Sequence, residues 1–139
     1  MVTWEEMGKI HPELSNKYKE DFHQHRSGGW IENTAKVTRS IVAGQSLILG
    51  KANVDLCELR GQSIIKDKAT VVRSYLAGWA RVEDNAFVDQ SAISCESIIK
   101  GNADVRETTV IDHSMIIDNA NVEKSRVSGE SIIKGVSTL

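Results

Sequence analysis

His113 stands between Asp112 and Ser114 and is the only histidine after residue 26. An imidazole titrates near neutral pH, so a general-base role there is chemically available. No second catalytic group accompanies it in the local pattern, and no long insertion would close a cleft over it. A structural or surface role is therefore the main reading, and a catalytic role the alternative. The other histidines, His11, His23 and His25, precede residue 27. They lack the spacing of a ligand set, so no metal is expected there and no cofactor is called for. Cys57 and Cys95 are the only cysteines, too few for a disulfide framework.

Any such group must be positioned by a repeat. "ESIIKG" occurs at 96–101 and again at 130–135, with "QSIIKD" at 62–67. The underlying period is half that interval, 17 residues. Ile31, Ile48, Ile65, Val82, Ile99, Ile116 and Ile133 form one aliphatic column. Val37, Val54, Val71, Val88, Val105, Val122 and Leu139 form a second. Val42, Leu59, Leu76, Ile93, Val110 and Val127 form a third. A small residue lies two positions before each aliphatic, as in Ser97–Ile99, Ala103–Val105 and Ser91–Ile93. A spacing of two places both on one face of a strand. Turn-forming residues fall between, Gly50, Asp67, Asp84, Gly101 and Asp118 at one corner and Gly44, Gly61, Gly78 and Gly129 at another.

The fold class predicted is all-β, a single-stranded parallel β-helix with a triangular section and 17 residues per coil. It covers 27–139 in about six and a half coils, preceded by a helical cap or arm at 1–26. In that arm Trp4, Met7 and Ile10 are three apart, and Leu14, Tyr18 and Phe22 four apart. These spacings predict helices near 3–10 and 12–23. Capping of the solenoid end is the expected role, with partner binding or exchange as the alternative. In the coil, Cys57 lies in an inward column and Cys95 at a corner three turns later. Their separation of roughly 14 Å along the axis predicts free thiols and a reducing compartment.

"VEDNAF" at 82–87, "IKGNAD" at 99–104 and "IDNANV" at 117–122 resemble the hexapeptide motif of single-stranded left-handed β-helix proteins. The side shortened to five residues and the entry "SGGWI" at 27–31 are closer to the YdcK-like and prophage-type members. The resemblance covers 27–139 and implies left-handedness. It also implies two functional readings. One is a phage or prophage accessory protein engaging a host protein. The other is an acyltransferase in which His113 acts as general base at a subunit boundary.

Composition narrows the field. Seventeen basic and nineteen acidic residues give a net charge of −2, without the concentrated basic surface that nucleic acid requires. No apolar run approaches the roughly 20 residues that span a bilayer, and the charged start "MVTWEEMGKI" is unlike a signal peptide. A soluble, cytoplasmic protein is expected.

One outward column breaks the alternation. Trp30, Leu47, Ile64, Ile98, Met115 and Ile132 lie between the small and aliphatic positions of the first side, with Arg81 the only charged member. Leu49 and Ile117 lie beside them. The matching positions on the second side, such as Lys36, Asn53, Thr70 and Asp104, are mostly polar. A stripe of this length marks an interface. Its expected occupants are a second copy in a dimer or trimer, the chain's own N-terminal segment, or a foreign protein. The end of the sequence at Leu139, partway round a coil, is expected to leave an edge that frays or pairs with another molecule.

Overall fold

The structure is a computed structural model in which residues 1–135 are described. It shows a parallel β-solenoid of about six coils. Strands of two or three residues stack into three sheets. Every inter-coil pair is in parallel register with a shift of 17, for example Val54 with Val71 and Ile99 with Ile116. The aliphatic columns fill the interior; Ile48, Ile65, Val82, Ile99 and Ile116 have no exposed surface. Ser137 and Leu139, the last members of their columns, lie outside the described residues, as does the edge expected at Leu139.

Two corners carry a left-handed residue of the type the sequence announces, glycine or aspartate except at Cys95, where φ is +62°. At Gly101 φ is +75°. An added Cβ would come within 2.8 Å of the Asp118 backbone nitrogen in the next coil, which leaves no room for a side chain. Where aspartate replaces glycine it adds a tie between coils. Asp84 Oδ2 accepts the Gly101 N–H at 3.0 Å, and Asp118 Oδ2 the Gly135 N–H at 3.2 Å.

The third corner, on the shortened side, follows different rules. Its left-handed residues are Arg39, Leu56, Arg73, Gln90, Glu107 and Lys124, with φ between 46° and 56°. None is of the type that favours such a backbone, a strain of about 1 kcal/mol or more each. What offsets it is the small residue that follows. Ser91 Oγ donates to the Asp89 carbonyl and accepts the N–H of Thr108. Thr108 Oγ1 likewise donates to Arg106 O and accepts from Ser125 N–H. Ser40 and Ser74 repeat the arrangement with Cys57 and Ser91. Hydroxyls thus serve this column beyond their size: Ser40, Ser74, Ser91 and Thr108 each take up a backbone N–H of the coil below, while the Cys57 thiol donates to the Asp55 and Val71 carbonyls.

The N-terminal segment departs from expectation. Helix α1 spans Trp4–Ile10, closed by a capping box between Thr3 and Glu6. The second expected helix is absent. Pro12–Leu14 and Lys19–Asp21 form single 3-10 turns, and Phe22–Gln24 is a strand. Tyr18, read as part of an apolar helical face, is 67% exposed, whereas Leu14 and Phe22 are buried. Phe22–Gln24 instead pairs antiparallel with Trp30–Glu32. That satisfies a sheet edge which a surface helix would leave open.

Candidate functional site

The outward column of the first face forms a continuous ladder, Trp30–Leu47–Ile64–Arg81–Ile98–Met115–Ile132, each member directly above the next. Its two halves differ. Trp30, Leu47 and Ile64 are buried in a second apolar core with Met7, Leu14, Phe22 and Leu49, against which Val2 and Trp4 pack. Leu47 has no exposed surface. The chain's own N-terminal segment thus covers the first half, and these three side chains are not available to another molecule. Trp4 packs between the rings of Phe22 and Trp30, with centroids 4.7 and 5.5 Å away.

Below that, Ile98, Met115 and Ile117 are half-buried by their ladder neighbours and Ile132 is exposed. Trp79 joins this half from the adjoining column and is 46% exposed. Glu96, His113 and Glu130 follow it at intervals of 17 along one flank, while Lys100 and Lys134 lie on the other. Trp79, Arg81, Glu96 and Ile98 line a recess at the foot of the N-terminal segment.

Arg81 is the boundary between the halves. Its guanidinium lies 2.7 Å from Glu13 of the segment and 3.2 Å from Glu83 of its own coil. Burial opposes the charge of Arg81, but the two carboxylates outweigh it and hold its pKa above the ordinary value. Glu13 shows the converse. Burial pushes its pKa up, and its own backbone N–H together with the Arg81 guanidinium brings it below the usual carboxylate value. Beside them His11 is 1% exposed, its Nε2–H donating to the Gln45 carbonyl at 2.6 Å. Burial is the main reason its pKa is lowered.

The remaining candidates lie apart from this face or at its edge. His113 is largely exposed, its Nε2 3.3 Å from an equally exposed Glu96 carboxylate. His23 Nδ1 pairs with the Asn33 side-chain oxygen, and His25 Nδ1 accepts the Ser27 N–H. Among the described residues no group of three or more His, Cys, Asp or Glu side chains is placed to hold a metal ion. Cys57 and Cys95 are free thiols, the first buried, the second exposed. Burial pushes the Cys57 thiol up to about 11.

Sequence reasoning missed the partnership of Glu13 and Arg81, the burial of His11 and the exposure of Trp79. The signal for Trp79 was present: it interrupts a polar column that also contains Gln45, Gln62 and Glu96. Also missed was a groove of about 660 Å³ along the short corner, whose lining includes Ile41, Leu56 and Tyr75. Comparison with protein-family models, with curated proteins and with solved structures finds no match to this chain. Among the described residues no helix is long and apolar enough to cross a membrane.

Proposed function

We propose that the protein is a non-enzymatic structural β-solenoid that associates with a second copy of itself through the lower half of its first face. One observation carries this. The ladder that is buried from Trp30 to Ile64 resumes beyond Arg81 with Ile98, Met115 and Ile132, where nothing in the chain's described residues covers it. Large apolar patches are seldom left bare, and a rigid sheet presents them without loss of backbone freedom.

The finer likeness to YdcK-like and prophage-type β-helix proteins, and a cytoplasmic setting, belong to the same proposal. Two free thiols, Cys57 and Cys95, fit a reducing compartment. A host protein is the second occupant of the face. Acyl transfer through His113 gains no support from its surroundings, since His113 and Glu96 are both turned to solvent.

The test is light scattering across a concentration series on the wild type and on Ile98→Glu. A mass that rises with concentration in the wild type and stays monomeric in the variant is expected. A wild type that remains monomeric throughout removes the self-association reading; an unchanged assembly in Ile98→Glu moves it to another surface.

A further inference from the structure

The inference concerns regulation of the first face and rests on its reading as a contact surface. The cover on the upper half is slight. It consists of one seven-residue helix, two three-residue 3-10 turns and one short strand. Its apolar anchors are Met7, Leu14 and Phe22. Between Met7 and Leu14 the contact turns polar. His11 is inserted ring and all, donating to Gln45 O, with the Trp79 ring edge-on at 6.4 Å. Glu13 reaches Arg81 with one carboxylate oxygen; the other is buried without a partner. An unpaired buried carboxylate oxygen costs about 1–3 kcal/mol, which weakens the hold of the segment at this point.

We propose that the N-terminal segment is an acid-released strap, docked while His11 is neutral, whose release extends the open contact face from its lower half to the whole ladder.

The chemistry has one direction. The single proton of neutral His11 sits on Nε2, where the Gln45 carbonyl requires it. A second proton must go to Nδ1 of a ring that has almost no access to water. The charged groups around the ring are Glu13 from the segment and Arg81 from the coil, with Glu83 beyond Arg81. Glu13 favours the imidazolium, while Arg81 opposes it, and burial decides against it. His11 therefore has a lower pKa docked than free. Its contribution to docking is complete above the free value of 6.5 and is lost as pH falls toward and through the docked value. Glu13, also lowered, acts with the same sign: its contribution is lost as pH falls through its docked pKa.

The experiment is hydrogen exchange between about pH 7 and pH 5, a span that brackets an ordinary histidine, on the full chain kept dilute enough for light scattering to show a monomer at each pH, so that docking is read apart from association. The readouts are the amides of Met7 and His11, which bond to Thr3 O and Met7 O, against those of Val88 and Val105 in the coil. Protection in α1 should fall by up to about 10-fold per pH unit as pH drops from the free value of 6.5 to the docked pKa, while the coil amides hold. His11→Gln, whose side-chain amide can still donate to Gln45 O, should flatten that dependence. Constant α1 protection down to the acid limit, or loss of coil protection in step with it, overturns the strap. So does a His11→Gln variant that keeps the wild-type slope. If that variant is already undocked at neutral pH, the titration of the chain with His11 intact decides by the same criteria. The wild type should also associate more strongly in acid. Release without any gain in association keeps the strap and overturns the contact-surface reading.

Discussion

The upper and lower halves of the first face are built on the same column of the same sheet, yet only one is covered. Above Arg81, Trp30, Leu47 and Ile64 are sealed by Met7, Leu14 and Phe22; below it, Ile98 and Met115 are half-open and Ile132 is exposed. The coil does not require either set, because the inward columns already fill its core. The difference shows that an outward isoleucine in a solenoid has a local meaning only when its occupant is known. Intrachain cover accounts for half of the stripe and leaves the rest as the surface proposed for contact.

The comparison breaks most sharply through Leu47. Leu47→Ala should cost about 3 kcal/mol in chemical denaturation, since it removes a fully buried side chain from the junction of segment and coil. A cost under about 1 kcal/mol would mean that the upper cover is as loose as the lower half is bare. Arg81→Ala comes next, at about 2 kcal/mol, because it strands the Glu13 carboxylate beside a buried histidine. Hydrogen exchange should place that loss in α1 rather than in the coil. Ser91→Ala is a reference common to both halves. It removes the acceptor for the Thr108 N–H and should cost about 1 kcal/mol, felt in the coil and not in the segment. The smallest effect belongs to Ile98→Ala, within about 0.5 kcal/mol in the dilute monomer, although its position in the ladder is equivalent to that of Leu47 three coils up. A loss as large as that of Leu47→Ala would show that Ile98 is already packed within the chain.

Much of the fold was legible because a solenoid repeats its constraint. Ala69, Ala86 and Ala103 recur because the interior at that level admits nothing larger beside Val71, Val88 and Val105. Gly101 recurs with Asp84 and Asp118 because the corner needs a left-handed backbone. The short corner was not legible in the same way. Arg73, Gln90 and Glu107 carry no sign of the left-handed conformation they adopt, since the neighbouring hydroxyl ladder imposes it through tertiary hydrogen bonding. Ser74 and Ser91 appeared only as small residues because size and hydrogen bonding select the same types.

The face itself was half legible. Period and alternation identify Trp30, Leu47, Ile64, Ile98, Met115 and Ile132 as outward and apolar, but identify no occupant. Residues 1–26 lack the repeat, so their path rests on contacts that no spacing encodes. Tyr18 satisfied a helical period and points into solvent, whereas Phe22, four residues later, enters the core from a strand. His11 and Glu13 belong to no spacing pattern, and their partners Gln45 and Arg81, far away in sequence, are brought against them only by the fold.

Hydroxyl-radical footprinting of the wild type, dilute and concentrated at neutral pH, tests the division of the face directly. Met7 and Trp30 report the upper half, Met115 and Trp79 the lower. The account predicts that Met7 and Trp30 are protected at both concentrations. Met115 and Trp79 should be oxidised in the dilute protein and protected in the concentrated one. Equal oxidation of Met115 and Trp79 at both concentrations would contradict it.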